Sequence, residues 1–500
     1  MMRVGLARCR PSYSGLKAPW GPGKSYPEVA RLLGEEACAG PMNEVYAAVR
    51  AALYGLGLDA ENYGVESWNP IGALVSPGKR IILKPNLIRH WNPAEDGRGG
   101  TVDSVITHGS VIRAVADYAM IAAGADGSVA IAEAPQMDCD FDAIRRITGL
   151  DEIVSLYDDL LRRTFAIIDL RREVVLFKDG IIEERKILPG DPMGYRAVDL
   201  GQKSFFSGSG LDPNLFRGAD YDPGPTAEHH SGGRNAYLLS ETVLSADLVI
   251  NLPKLKTHKK TGVTLALKNL VGINGDKNWL PHHSLGSVAQ GGDEFPENRL
   301  IDRLRSRATE IARPFLARGW GLKFFQLFRR VETATRGENF IRSGNWYGNR
   351  TTWRMCCDLN RCLYYSDREG LHLDSPGPVR TVLTIIDGVL AGEGEGPLAP
   401  GDVPLGAILA GTDPIAVDLL AVRLMGFDEE KLAKLREPMA DEGPRITAIR
   451  SSREVCVGEV VIDGSVDADG VRDRSLEEIS WQRGFVPHAG WVGHVERDKG

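Results

Sequence analysis

Residues 80–133 read RIILKPNLIRHWNPAEDGRGGTVDSVITHGSVIRAVADYAMIAAGADGSVAIAE, and the order of elements in this stretch decides the fold. Residues 80–83 are a short apolar run that stops at Lys84-Pro85-Asn86, which predicts a strand. Residues 110–123 predict a helix, and Gly124 behind them suits its C-cap. Residues 128–132 are again strand-like and end at Glu133. Strand, loop, helix, strand is a βαβ unit, which implies a parallel sheet.

The same alternation extends outward. Residues 4–7 predict a strand. Residues 42–56 predict a helix, with Val45, Val49 and Leu53 four apart and Leu56 three later. Residues 164–170 and 173–177 look like strands around a turn. The stretch 200–235, rich in Gly, Pro, Ser and Asp, reads as loop. Residues 246–252 predict a buried strand, 264–271 a helix and 352–365 another helix. Residues 379–386 predict a strand ending at Asp387-Gly388, and 392–397 (GEGEGP) a flexible acidic loop. Residues 405–410 predict a strand. Gly411-Thr412-Asp413-Pro414 then opens a helix, with Thr412 or Asp413 as its cap and Pro414 in its first position. Residues 460–463 predict a last strand.

The resulting fold class is α/β, in two lobes of mainly parallel or mixed sheets flanked by helices. The expected organisation is an N-terminal strand and helix extension over 1–75 and an α/β lobe over 76–290. A basic helical insertion over 291–370, a second α/β lobe over 371–465 and a tail over 466–500 follow.

The chain has 500 residues, too many for one ordinary domain. Its 43% hydrophobic and 25% charged residues exclude a disordered or fibrous class. A net charge of −7 argues against a general nucleic-acid coat, so no nucleic-acid partner is expected. Seven cysteines, an odd number at mostly wide spacings, fit a reducing compartment. No C-x-x-C-x-x-C run occurs, so no iron–sulfur cluster is expected. Cys356 and Cys357 point in different directions on a helix and, with Cys362, read as small buried hydrophobes. No apolar run reaches the length of a signal peptide or a membrane span, which makes a cytoplasmic protein the expectation.

The richest chemistry lies in 251–283, NLPKLKTHKKTGVTLALKNLVGINGDKNWLPHH. Lys254, Lys256, His258, Lys259, Lys260, Lys268, Lys277, His282 and His283 follow a buried strand, and in open α/β sheets ligands sit beyond the strands' C-terminal ends. Such a cluster suits a carboxylate or phosphate, and its histidines suit a transition metal. The plainer account is an exposed basic loop. Lys84 and Asn86 likewise follow a strand. His108 precedes a helix, where backbone N–H groups favour an anion, although simple capping, with Ser110 as a candidate cap, is the better account of Thr107–Ser110 taken alone. Asp387, Glu393 and Glu395, separated by glycines, could bend around a hard cation.

Residues 297–336 hold ten Lys or Arg against four Asp or Glu, with Phe315, Trp320, Phe324, Phe325, Leu327 and Phe328 among them. Two readings stand: a membrane-surface or partner-binding amphipathic element, or an insertion that packs its apolar face on the core and leaves its arginines solvated.

Several blocks together resemble the Domain of Unknown Function 362 family of bacterial and archaeal proteins. They are ILKPNL at 82–87, THGSVIRAVADYAMIAAGA at 107–125 and DLVINLPKLKTHKKTGVTLALKNLVG at 247–272. WRMCCDLNR at 353–361, IIDGVLAGEGEGPLAP at 385–400 and AGTDPIAVDLLAVRLMG at 410–426 complete the set. Some relatives carry a ferredoxin-type cluster domain, whose cysteines are absent here, so the resemblance implies no electron-transfer role. A looser analogy links His258, Gly262, Lys268 and His283 to the spacing of the nickel-pincer lactate racemases, which implies a cofactor held by Lys268.

The leading expectation is an enzyme acting on a small anionic metabolite in a cleft between the lobes, with redox or isomerase chemistry. His258, Lys268 and His108 are the candidate catalytic residues. Lys84, Asn86, Lys254, Lys256 and Asn269 are the candidates for holding the ligand or cofactor. His283, Asp387 and Glu393 are the candidates for a divalent metal. The alternative is a non-catalytic anion-binding protein whose 297–336 insertion docks on a membrane or partner.

Overall fold

The computed structural model describes residues 1–95, 99–178, 181–317, 320–321, 323–324, 326–327, 330, 341–462, 470–479 and 483–498. Its strands, in chain order, are β1 (Met2–Arg8), β2 (Arg80–Pro85), β3 (Ser128–Glu133), β4 (Ala166–Asp169), β5 (Glu173–Lys178) and β6 (Ile181–Ile187). They continue with β7 (Tyr195–Asp199), β8 (Phe216–Arg217), β9 (Ala236–Ser240), β10 (Leu248–Leu252), β11 (Lys254–His258) and β12 (Gly262–Val263). β13 (His283–Ser284), β14 (Thr381–Glu395), β15 (Ala399–Gly411), β16 (Val455–Val461) and β17 (Arg472–Ser475) complete them.

Eleven strands make one mixed sheet, in the order β17-β16-β1-β15-β14-β10-β2-β3-β4, with β11 beside β14 and β12 beside β11. The run from β14 to β4 is parallel throughout. Its strands are apolar on both faces: Ile81, Ile82, Leu83, Leu248, Val249 and Ile250 are all buried. The helices Glu44–Leu56 and Gly109–Ala123 cover one face, and Thr352–Tyr365 and Pro414–Leu424 belong to the other. The Glu44–Leu56 helix lies tight on β1 and β16 because Gly5, Gly55 and Gly458 place no side chain between the backbones.

The α/β reading holds, but the two expected lobes share a single sheet. β10 pairs with β2 on one side and with β14 on the other, so the division between 76–290 and 371–465 separates no layers. The 1–75 segment is no appendage, since β1 sits between β15 and β16. Nor is the C-terminal stretch a loose tail: Phe485, Trp491 and Val495 are buried in the core.

The expected acidic loop is strand. β14 runs through Glu395, and Gly392, Glu393 and Gly394 pair with Asp402, Gly401 and Pro400. The stretches 164–170 and 173–177 do not pair with each other either: β4 joins β3, and β5 pairs with β6.

The insertion helix, Leu300–Ala317, turns both polar and apolar side chains inward. Arg217 holds Glu310 at 2.6 Å, and Ser306 donates to Glu294 at 2.7 Å. Leu300, Ile301, Leu304, Ile311 and Phe315 face outward, 47–69% exposed. Ala312 and Leu316 are buried on the inner side beside Tyr221, so the helix packs only part of its apolar surface on the core. Trp320, Phe324 and Leu327 are exposed as well, and Phe325 and Phe328 lie outside the described residues.

Candidate functional site

A cavity of about 500 Å³ opens beyond the C-terminal ends of β2 and β3. The loop after β8, the 258–272 segment and the insertion helix, through Thr309, Arg313 and Leu316, wall it. This is the position that parallel strands and short crossovers reserve for a ligand.

Its floor is an ion pair. Lys84, the fifth residue of β2, meets Glu133, the last residue of β3, at 2.5 Å, and both side chains are buried. The Lys84 ammonium also donates to Asn269 Oδ1 at 3.2 Å. Asn269 in turn donates to Asn251 Oδ1 at 2.7 Å and to the Lys84 carbonyl. Burial pushes the Glu133 carboxyl up and the Lys84 amine down from their ordinary values, and their mutual attraction opposes both shifts. Gly272 lies directly against the pair: a Cβ there would fall on the Glu133 carboxylate and the Lys84 ammonium.

The segment after β10 is not an exposed basic loop. After Pro253 the chain continues as β11, buried along its whole length between β14 and β12. Lys254 pairs with Asp387 at 2.9 Å and donates to the Tyr13 hydroxyl at 3.1 Å. Tyr13 donates to Asp387 at 2.5 Å, and its ring stacks on His108 at 3.8 Å. Lys256 donates to the Val105 carbonyl and to Asn86 Oδ1. Lys254, Lys256, Asp387 and His108 are therefore internal struts that do not line the cavity.

His108 caps the Gly109–Ala123 helix by accepting from the Ser110 N–H, and burial lowers its pKa to about 3. The anion at this helix start is Asp387, which accepts from the His108 N–H at 2.9 Å. Asn86 does line the cavity.

Lys268 and Asn269 come from the short helix Leu265–Asn269, which its neighbours hold rigidly. Asp418 accepts from the Ala266 N–H at 2.7 Å, Lys434 donates to the Val263 and Thr264 carbonyls, and Asn251 and Asn360 donate to the Ala266 and Leu267 carbonyls. Leu265 enters the helix at φ 51°, a strained conformation for a branched side chain, sustained by this surrounding network. The Lys268 amine reaches the cavity, and among the described residues it has no hydrogen-bond acceptor or carboxylate partner.

Three histidines line the same space. His258 Nδ1 accepts from the Lys260 N–H at 3.0 Å, which leaves the proton on Nε2. His282 Nδ1 faces the Leu280 carbonyl at 2.9 Å, which leaves a lone pair on Nε2. Burial holds His258 and His283 well below the ordinary imidazole pKa and His282 at about 3, so all three are neutral at physiological pH. Lys260 donates to the Ser343 carbonyl, and Lys277 to those of Ala134 and Val271 at 2.9 and 3.2 Å. Burial lowers both amines to about 7. The two carboxylates of the lining are already engaged, Glu133 by Lys84 and Asp220 by Arg185 at 2.5 Å.

Residues 190–423 match the family model described as Domain of unknown function (DUF362). The chain carries a DUF362 domain. No curated protein and no solved structure matches it. The DUF362 match supplies His258, Lys268, Asn269, Lys277, His282 and His283, whereas Lys84 in β2, Asn86 just after it and Glu133 in β3 precede the match. The cavity is thus a joint product of the DUF362 domain and the N-terminal βαβ unit.

Around the DUF362 domain the residues proposed for a metal do not meet. His283 lines the cavity, Asp387 is held by Tyr13 and Lys254, and Glu393 pairs with Arg483 and accepts from the Val486 N–H. Among the described residues, no three His, Cys, Asp or Glu side chains converge as a metal-binding group. His258, Lys268 and His283 line one cavity. Glu133 escaped the sequence reading although its signal was present, as a carboxylate closing the strand next to Lys84. Tyr13, Gly272 and Asp418 reach their positions only through tertiary contacts.

Proposed function

We propose that the cavity binds a small anionic metabolite and that the protein is an enzyme acting on it. One observation carries this reading: a buried cavity lined by five lysines and an arginine, in which both carboxylates are spent and two lysines have only neutral carbonyl acceptors. A carboxylate or phosphate would supply the missing charge. The neutral imidazoles of His258 and His282 and the Lys84–Glu133 pair are groups that can give and take protons beside it.

The lysine pKa values make the reading testable. Below about pH 7, Lys260 and Lys277 are protonated with or without ligand, so they add no pH dependence of their own. Above it the empty site holds neutral amines, and a bound anion raises their pKa and draws protons back. Affinity for inorganic pyrophosphate should therefore fall as pH rises, by up to about tenfold per unit for each lysine. Calorimetry near pH 8 in buffers of different ionisation enthalpy should register proton uptake. Pyrophosphate binding with a flat pH profile and no uptake would count against the assignment, as would no binding at all.

A second element accompanies the cavity. The outward apolar stripe of Leu300, Ile301, Leu304, Ile311 and Phe315 lies in a stretch rich in arginine and borders the cavity wall. Apolar side chains flanked by cations fit the interface of an anionic membrane. The protein should float with vesicles containing phosphatidylglycerol and not with pure phosphatidylcholine. The exposed-site double variant Ile311→Glu/Phe315→Glu should lose flotation while keeping its melting temperature. Equal flotation of variant and wild type would rule this docking out. Among the described residues, no helix is long and apolar enough to cross a membrane.

A further inference from the structure

We propose that the bound anion carries a carbonyl group and that the Lys268 amine adds to it, forming an imine. This rests on the anion-binding reading and narrows it to oxo acids and phosphorylated aldehydes or ketones.

The observation behind it is the difference between Lys268 and the other amines of the cavity. Lys84 is neutralised by Glu133, and Lys260 and Lys277 donate to backbone carbonyls. Lys268 is 9% exposed, and among the described residues nothing accepts from it. An amine so placed bears its desolvation with no hydrogen bond in return, a cost that persists where the group has a task. Its backbone is fixed from behind by Asp418, Lys434, Asn251 and Asn360, so the amine is presented on a rigid mount.

Only a neutral amine attacks a carbonyl carbon, and burial lowers the Lys268 pKa from its ordinary value. Lys260 and Lys277 would hold the carboxylate or phosphate of the same molecule. The amine nitrogen forms a bond to the carbonyl carbon as the C=O π bond breaks. The two amine protons then leave with the oxygen as water, and C=N remains. No oxidant or reductant is needed. His258, with its proton on Nε2, can donate a hydrogen bond to the carbonyl oxygen, and His282, with its Nε2 lone pair, can relay the amine protons.

The test is reductive trapping on the full chain. The protein is incubated with cyanoborohydride and, separately, glyoxylate, pyruvate, 2-oxoglutarate or pyridoxal 5′-phosphate, and is then mapped by peptide mass spectrometry. At least one probe should label Lys268 about tenfold above any other lysine, and excess pyrophosphate should suppress that label. Lys268→Arg should lose the label while keeping a cooperative melting transition. Should that variant not fold, suppression by pyrophosphate in the wild type serves as the second readout. Labelling of Lys268 no higher than surface lysines with all four probes, beside intact pyrophosphate binding, would overturn the imine and leave the anion site standing. If neither pyrophosphate nor any probe stabilises or labels the protein, both fall together.

Discussion

Glu133→Ala should lower stability by about 3–5 kcal/mol, because it strands the Lys84 ammonium in a buried position. The cost is large because the pair is short and enclosed: the two side chains are 1% and 4% exposed and meet at 2.5 Å. Most of the penalty belongs to the uncompensated charge, so the double variant Lys84→Met/Glu133→Leu should recover most of the loss. Anion binding should respond differently. The double variant removes the floor of the cavity and the Asn269 contact at 3.2 Å, so pyrophosphate affinity should stay reduced by about tenfold or more even where stability returns. Denaturant unfolding and calorimetric titration of the three proteins separate these effects. A double variant as unstable as Glu133→Ala would show that the site needs the pair for its shape and not for its charge balance.

Much of this fold is written locally. The cysteine-bearing helix covers the expected residues, 352–365, and every position but Arg354 is buried. Asp413 caps the next helix and Pro414 opens it, a two-residue signal that needs no tertiary information. The β2–helix–β3 unit is legible for the same reason.

What the sequence concealed depends on contacts between distant residues. Three lysine- or histidine-bearing positions in five residues look solvated, yet β11 is buried throughout. Its lysines find Asp387, Tyr13 and the Val105 carbonyl, each more than a hundred residues away. Gly392 and Gly396 look like flexibility but serve close packing. A Cβ on Gly392 would crowd Lys256, Pro400 and the Ser104 carbonyl, and one on Gly396 would meet the Thr257 backbone. The insertion helix carries an amphipathic pattern that periodicity detects, but periodicity cannot say which face turns inward.

These buried struts yield the second large effect. Asp387→Ala should cost about 3–5 kcal/mol, since it abandons Lys254 and leaves the Tyr13 hydroxyl and the His108 N–H without their acceptor. Asp387 lies outside the cavity lining, so its loss should act on folding and not on recognition. Under conditions where the variant is folded, pyrophosphate affinity and its pH profile should match the wild type. The opposite pattern, near-normal stability with lost affinity, would move Asp387 from the framework into the site and would revive it as a ligand-binding carboxylate. The sharper probe is Asp387→Asn, which keeps the shape and one accepting oxygen but removes the charge that balances Lys254. If charge balance dominates, Asp387→Asn should be nearly as unstable as Asp387→Ala; if the hydrogen bonds to Tyr13 and His108 dominate, it should recover a large part of the loss.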